Sequence, residues 1–436
     1  MTDLARRVIS EYCRAGNGNP ADRLRSLIRI GLRTGRIPHL DGVRFSDVKV
    51  VNGILENFKS LGFFDFNFIG SVKSDLISSI SDDTEALRFM SNISQLGFYD
   101  EDVVTQIITR IIRSGGHKKL SPHDVGKLLS ILSRQQIRNS SLVLDLVSRA
   151  YDDMDAPDKV KAIHSLSCLG LPTGDLKFPA VSDDIESGLV FLEAMILSPD
   201  LMKDNSVFKS QILPTVEKLS ERFGGTSVNM EALGPRDGYM IRKMSLVWYA
   251  LNFAYPDEYN LLPGSCKQLL ATAAQGLERN RIRSETGFIQ DVSKQLFAMN
   301  LRHNTCVDKG PFSLDIEEVG EKVIWDCDKP IRYYGGVDGG MRTSYYVLRD
   351  RILKAMGYKV VHIPHWHWSR LSNKKTRADY CRMSRFLAVC DARESVADTS
   401  RFGGSLYEGE YFFKKEQPKK PWSWHGHSSC PVRVSL

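Results

Sequence analysis

Gly357-Tyr358-Lys359-Val360-Val361-His362-Ile363-Pro364-His365-Trp366-His367-Trp368 decides how this chain is read. Gly357 suits a helix end, because glycine takes left-handed φ without strain. Tyr358 to Ile363 is β-branched and apolar enough for a buried strand, and Pro364 stops it. Working outward, residues 343–356 place Tyr345, Leu348, Ile352 and Met356 at helical spacing. Two further strands precede them, an alternating one over 313–317 and one over 322–327, joined as a hairpin at Gly320. A helix over 373–389 follows, with Tyr380, Met383 and Leu387 turned inward. Residues 322–363 therefore read as a β-α-β unit. If its two strands run parallel, Asp326 and Asp328 meet the stretch from His362 to Trp368 at one strand edge. Open α/β sheets bind ligands at such edges.

Upstream, to about residue 300, the chain reads as helix after helix. Ser60-Leu61-Gly62-Phe63-Phe64-Asp65 resembles Gln95-Leu96-Gly97-Phe98-Tyr99-Asp100. Ser133-Arg134-Gln135-Gln136-Ile137-Arg138 and Cys168-Leu169-Gly170-Leu171-Pro172 take equivalent places. Aligning Phe63, Phe98, Ile137 and Leu171 gives steps of 35, 39 and 34 residues. Such periods predict stacked helical hairpins. Ser121-Pro122 supplies an N-cap and a first-turn proline. From 181 to 300 the helices lose a clear period, with a break at Phe223-Gly224-Gly225-Thr226. The expected organisation is a repeat array over 1–180, helices capping it over 181–300, an α/β domain over 301–393 and a basic extended tail over 394–436. A separate small helical domain is the alternative for 181–300. The period alone does not say whether the array binds protein or RNA.

Bulk properties narrow the class. The 436 residues exceed one ordinary core, and 42% hydrophobic with 25% charged residues is normal for a globular chain. No apolar run approaches the ~18–20 residues that span a bilayer, so no membrane partner is expected. A net charge of +7 is compatible with nucleic acid. The eight cysteines form no CxxC pair, which predicts free thiols, no zinc frame and a reducing compartment. The first 48 residues carry many arginines but no lysine, a bias shared with mitochondrial presequences. Asp3, Glu11 and Asp22 argue instead for a first helical pair with basic faces.

The strand edge carries the chemistry. His365, Trp366 and Trp368 are followed by Arg370, Lys374, Lys375, Arg377, Arg382 and Arg385, against Asp379 alone. Rings stack on bases and cations neutralise phosphates, so this pattern suits single-stranded RNA. Plainer readings are that a tryptophan closes the core and that the basic helix is a solvated face. The histidines lack metal-ligand spacing, so neither metal nor cofactor is expected. The tail, with Lys414, Lys415, Lys419, Lys420, Trp422 and Trp424, is basic, aromatic and loop-like. Segments of that kind order on RNA-rich assemblies.

Over residues 284–389 the chain resembles the RAP-domain family. The resemblance rests on the strand at 313–317, on Asp326-Cys327-Asp328-Lys329-Pro330-Ile331-Arg332-Tyr333, on Thr343 with Arg349, Arg351 and Leu353, and on Gly357-Tyr358 through Pro364 with Trp368. It departs where the family has glycine (here Lys329) and histidine (here Arg332). The resemblance implies an α-solenoid of helical-hairpin repeats followed by a C-terminal α/β, restriction-endonuclease-like RAP domain. It further implies an organellar RNA-binding protein, here expected in the mitochondrial ribosome, with ribosomal RNA and other ribonucleoprotein subunits as partners. The expected RNA contacts are Arg332, His365, Trp366, Arg370, Lys374, Lys375, Arg377 and Arg382. One alternative is a metal-dependent endoribonuclease using Asp315, Asp326 and Asp328. Related nucleases place a lysine two residues after the second acid, but that position is Asp328, and Lys329 points to the other face of a regular strand. A protein scaffold is the other alternative.

Overall fold

The computed structural model describes residues 48–61, 77, 80, 82–173, 176–180, 184–202, 204–223, 235–275, 286–336 and 340–390. The arginine-rich first 47 residues, the proposed break after Phe223 and the tail lie outside the described residues.

One helix-ending motif generates the array. Helices α1 (Val48–Leu61), α2 (Asp83–Gln95), α3 (Glu101–Arg113), α4 (Pro122–Arg134), α5 (Ser140–Ala150) and α6 (Ala156–Cys168) follow in order. Past the ends of α2, α4 and α6, Gly97, Gln136 and Gly170 take φ of 75°, 55° and 64°. The next residue then donates its backbone N–H five positions back: Phe98 to Ile93, Ile137 to Leu132, Leu171 to Leu166. This bond satisfies a carbonyl that the helix end would otherwise leave unpaired. It also turns the apolar side chain inward, and Phe98, Ile137 and Leu171 are all buried. These are the residues that the sequence period makes equivalent; Phe63 lies outside the described residues. Gln135 ties one turn to the previous one by donating from Nε2 to the Phe98 carbonyl at 2.7 Å.

The helices form two layers. α1 packs on α2, α2 on α4 and α4 on α6, while α3 and α5 lie alongside. The inner row continues across residue 180 into α7 (Ile185–Leu197), α8 (Pro235–Tyr249) and α9 (Gly264–Gln275). Asp82, Asp100, Ser121, Asn139, Asp155 and Asp184 each cap a helix start with a side-chain oxygen. One apolar core runs from Val51 through the row to Val360. Fully burying one of its leucines or isoleucines is worth ~1.5–3 kcal/mol, which no single hairpin achieves alone.

After α10 (Gly287–Ala298) comes a four-stranded sheet of β1 (His303–Lys309), β2 (Phe312–Glu318), β3 (Val323–Asp328) and β4 (Lys359–Pro364). Its order is β1-β2-β3-β4; the first three strands are antiparallel and β4 is parallel to β3. The crossover is α11 (Ser344–Ala355), and α12 (Lys374–Val389) follows β4. β1 was not expected from the sequence: His303-Asn304-Thr305-Cys306-Val307-Asp308-Lys309 is polar, as an edge strand tolerates, and Cys306 departs from strand φ at 53°. Every residue of β3 is buried, so the sheet is covered on both faces. Val323, Trp325 and Cys327 join a second core with Ile289, Val292, Tyr380 and Cys381 from α10 and α12. Ile324 faces the main core shared with α11 and the array.

The α/β module is thus seated on the array rather than hung from its end. Its loop at Tyr333–336 lies on the repeat turns. Gly335 donates its N–H to Gln136 O at 2.9 Å and accepts from Arg138 N at 2.8 Å. Gly336 N donates to Glu101 Oε1 at 2.8 Å, and the Tyr334 hydroxyl donates to Cys168 O at 2.5 Å. Gly336 needs both its freedoms here: φ is +87°, and a Cβ would stand 2.6 Å from the Arg138 carbonyl. On the other side of α11, the Arg351 guanidinium sits 4.2 Å over the Tyr255 ring.

Candidate nucleic-acid interface

The parallel pairing of β3 with β4 sets Asp326 beside His362 and Asp328 beside Pro364. The strand ends therefore converge as the sequence predicts. Beyond them Pro364 leads into the single helical turn His365–Trp368 and then, through a short loop, into α12. Two chemically different surfaces result.

The first is a buried charge cluster on the face toward α11. Asp315, Asp326, Asp328 and Asp350 confront Arg332, Arg342, Arg349 and His362. Arg349 is 1% exposed and grips the fully buried Asp326 with two bonds of 2.5 and 2.7 Å. Arg332 is 6% exposed and reaches Asp315 at 2.6 Å, Asp328 at 3.0 Å and Asp326 at 3.1 Å. Tyr346 lies beneath the cations, with the three guanidinium carbons 5.1–5.9 Å from its ring centre. The Tyr333 hydroxyl donates to Asp328 Oδ2 at 2.9 Å.

Burial alone would raise the Asp326 carboxyl, but Arg332 and Arg349 hold it well below the usual carboxylate range. Asp328 is lowered against its burial by His362 and Arg342. Asp315 is raised, because its burial outweighs Arg332. His362 is raised despite its burial, since Asp328 and Asp350 flank its ring nitrogens at 3.3 Å each. Arg342, 2.7 Å from the same ring, opposes that charge. Two carboxylates outweigh one guanidinium in favouring the charged imidazole.

This cluster corrects one expectation. Arg332, read from sequence as an RNA contact, is sealed inside by three carboxylates. Asp326, Asp328 and His362 do present ligand atoms within 4.8 Å of one another, a spacing that divalent ions accept. Yet each is already committed to a guanidinium group or another ring partner. An ion taking their oxygens would strand Arg332 and Arg349 as buried, uncompensated cations. As they stand, these residues do not fit a resident metal. Arg342 and Asp350 were missed by sequence reasoning, which placed His362 beside the acids without its other partners. The available signal was a pair of acids at i and i+2 on a buried strand, which demands cations from the covering helix.

The second surface is open. Arg370, Lys374, Lys375 and Arg382 are exposed, Arg382 beside Asp379 at 2.8 Å. Trp366 is half-buried with its ring edge-on to Tyr333, centroids 4.6 Å apart. His365 is half-buried against Phe288. Trp368 closes the core instead, 3% exposed. Arg377 is turned to it, 4.9 Å over the ring, with Nε donating to Leu371 O. Arg385 clasps the buried Glu318, which also accepts from Trp325 Nε1. Of the expected contacts, the structure thus gathers His365, Trp366, Arg370, Lys374 and Lys375 near one strand edge. Arg382 stands two turns along α12.

Residues 325–383 match the family model described as RAP domain. The C-terminal module carries a RAP domain. The match begins at Trp325 in β3 and ends within α12, so it takes in the parallel strand pair, the charge cluster and the open edge. β1, β2 and α10 complete the folded module outside the match. A comparison with curated proteins returns no relative. The RAP domain points to a nucleic-acid-binding role, with RNA as the ligand. No helix among the described residues is long and apolar enough to cross a membrane.

Two outcomes are expected of the cluster. Arg349→Ala removes the two-bond partner of the buried Asp326, leaving it Arg332 at 3.1 Å, and should cost ~3–5 kcal/mol in denaturant unfolding. Arg349→Met with Asp326→Asn should recover part of that loss. For His362, whose pKa is raised on folding, the stabilisation is complete below its ordinary value of 6.5 and fades as pH rises through the folded value. The Tm deficit of His362→Gln should therefore be largest at pH 5.5 and shrink above pH ~6.5; a deficit that grows with pH contradicts this assignment.

Proposed function

We propose that this chain is a mitochondrial RNA-binding protein, a structural or assembly component of the mitochondrial ribosome that contacts ribosomal RNA. Other ribonucleoprotein subunits are its further partners. The RAP domain supports the RNA part of this reading. The organelle and the ribosome rest on the resemblance to organellar proteins in which helical repeats precede such a domain.

The observation that carries the reading is the start of α12. Lys374 and Lys375 occupy its first turn, with no acidic residue beside them there. The helix dipole disfavours cations at that end by ~0.3–1 kcal/mol each. An anion offsets the cost, because free backbone N–H groups and both ammonium groups then face it together. Arg370 adds a third exposed cation a few residues upstream, and Trp366 and His365 offer ring faces or edges to bases. The RNA contacts are accordingly assigned to His365, Trp366, Arg370, Lys374, Lys375 and Arg382, with Arg377 acting through its hold on Trp368. The endonuclease reading finds its three acids already paired with arginines, which outweighs the metal-compatible spacing of Asp326, Asp328 and His362. A scaffold role for the array is compatible with RNA binding by the domain.

Replacing Arg370, Lys374 and Lys375 by glutamine should reduce the slope of log affinity against log salt by ~2, at ~0.7 per lost single-strand phosphate contact. Arg377→Gln should instead lower Tm with little change in slope. Fluorescence anisotropy with single-stranded RNA over a salt series reads both. An unchanged slope in the triple variant removes the start of α12 from the interface.

A further inference from the structure

The far end of α12 has a different character from its basic start. Phe386 is 60% exposed, Met383 40% and Val389 39%, and Phe297 on α10 is 79% exposed. A groove of about 340 Å³ runs beside Phe386 and Val389, lined also by Met299, Leu301 and Cys390, with Arg382 and Arg385 as its charged rim. It lies on the α10–α12 side of the sheet, away from the charge cluster. Apolar surface of this kind is worth covering at ~25 cal/mol per Å².

We propose that residues 405–413 of the same chain dock in this groove. Three observations select that occupant. α12 ends at Cys390, which itself lines the groove, so the tether to any later segment is anchored there. Only 14 residues, 391–404, intervene, and they can span up to ~45–50 Å when extended. A tether that short holds the segment at an effective concentration of order mM, so weak contacts suffice. Within the tail, Leu406, Tyr407, Tyr411, Phe412 and Phe413 form the densest apolar stretch.

Charge separates this segment from the other aromatic stretch. Glu408 and Glu410 are its charged residues, and they complement an arginine rim. Trp422 and Trp424 follow Lys414, Lys415, Lys419 and Lys420, which that rim repels. Arg385 is already held by Glu318, so Arg382 is the rim cation available to a glutamate. Its pair with Asp379 is exposed on both sides and exchanges at little cost. The docking rests on the apolar groove and residues 405–413 and shares only Arg382 with the assigned RNA contacts, so it stands or falls independently of the RNA reading.

The test uses the full chain with p-benzoylphenylalanine at Phe386, an exposed position whose replacement leaves the core intact. Irradiation should link it to a peptide within 405–413 of the same chain, at a yield independent of protein dilution. The triple variant Tyr411→Ser, Phe412→Ser, Phe413→Ser should reduce that yield at least tenfold. A link to a second copy, a link to another protein, a yield unchanged in the triple variant, or no link to 405–413 would each overturn the proposal.

Discussion

The pairing of Arg349 with Asp326 is the constraint on which the C-terminal module depends. A carboxylate at the centre of a fully buried strand is too costly to leave alone, so a cation from the crossover helix must meet it. That requirement fixes the rotation of α11 over the sheet. It then draws in Arg332 from the loop after β3 and Arg342 from the residues just before α11. Buried ion pairs are weak evidence for stability, since apolar residues of similar volume often do as well. Their stronger effect here is to specify register: shifting β3 by one residue would turn Asp326 and Asp328 toward α10 and α12, where Trp325 and Cys327 now pack.

The same cluster governs what the module offers to a ligand. Because Arg332, Arg342 and Arg349 consume the acids, the strand edge is not left with an exposed negative field. The outward charge beyond β4 then comes mainly from Arg370, Lys374 and Lys375. Tyr333 links the two regions, with its hydroxyl on Asp328 and its ring against Trp366. The next residue, Tyr334, continues the connection into the array through the Cys168 carbonyl. A nucleic-acid strand on the edge would thus rest on side chains braced by the charge cluster, and the cluster's loop is braced by the repeat turns.

Much of this was legible in the sequence where one physical rule dominates. β2, β3 and β4 lie within a residue or two of their expected bounds, because alternation and β-branched runs ended by glycine or proline have few other solutions. Phe98, Ile137 and Leu171 declared the repeat because one helix-ending geometry recurs at each. β1 escaped because an edge strand needs no apolar face. Arg332 was misplaced because a basic residue near an edge reads as exposed until its three carboxylate partners, brought from two strands, are seen together. Trp366 and Trp368 looked alike in sequence, and only packing against Phe288 and Arg377 separates the buried ring from the accessible one.

The proposed RNA path crosses the edge formed by the turn after β4 and the start of α12. Ultraviolet crosslinking of the chain in its native particle, with adducts mapped to single residues by mass spectrometry and the attached RNA sequenced, tests it most directly. Adducts are expected within residues 365–382, led by Trp366, Lys374 and Lys375, joined to mitochondrial ribosomal RNA. Adducts confined to the helical array, or none on the RAP domain while neighbouring proteins in the same particle are labelled, would contradict it.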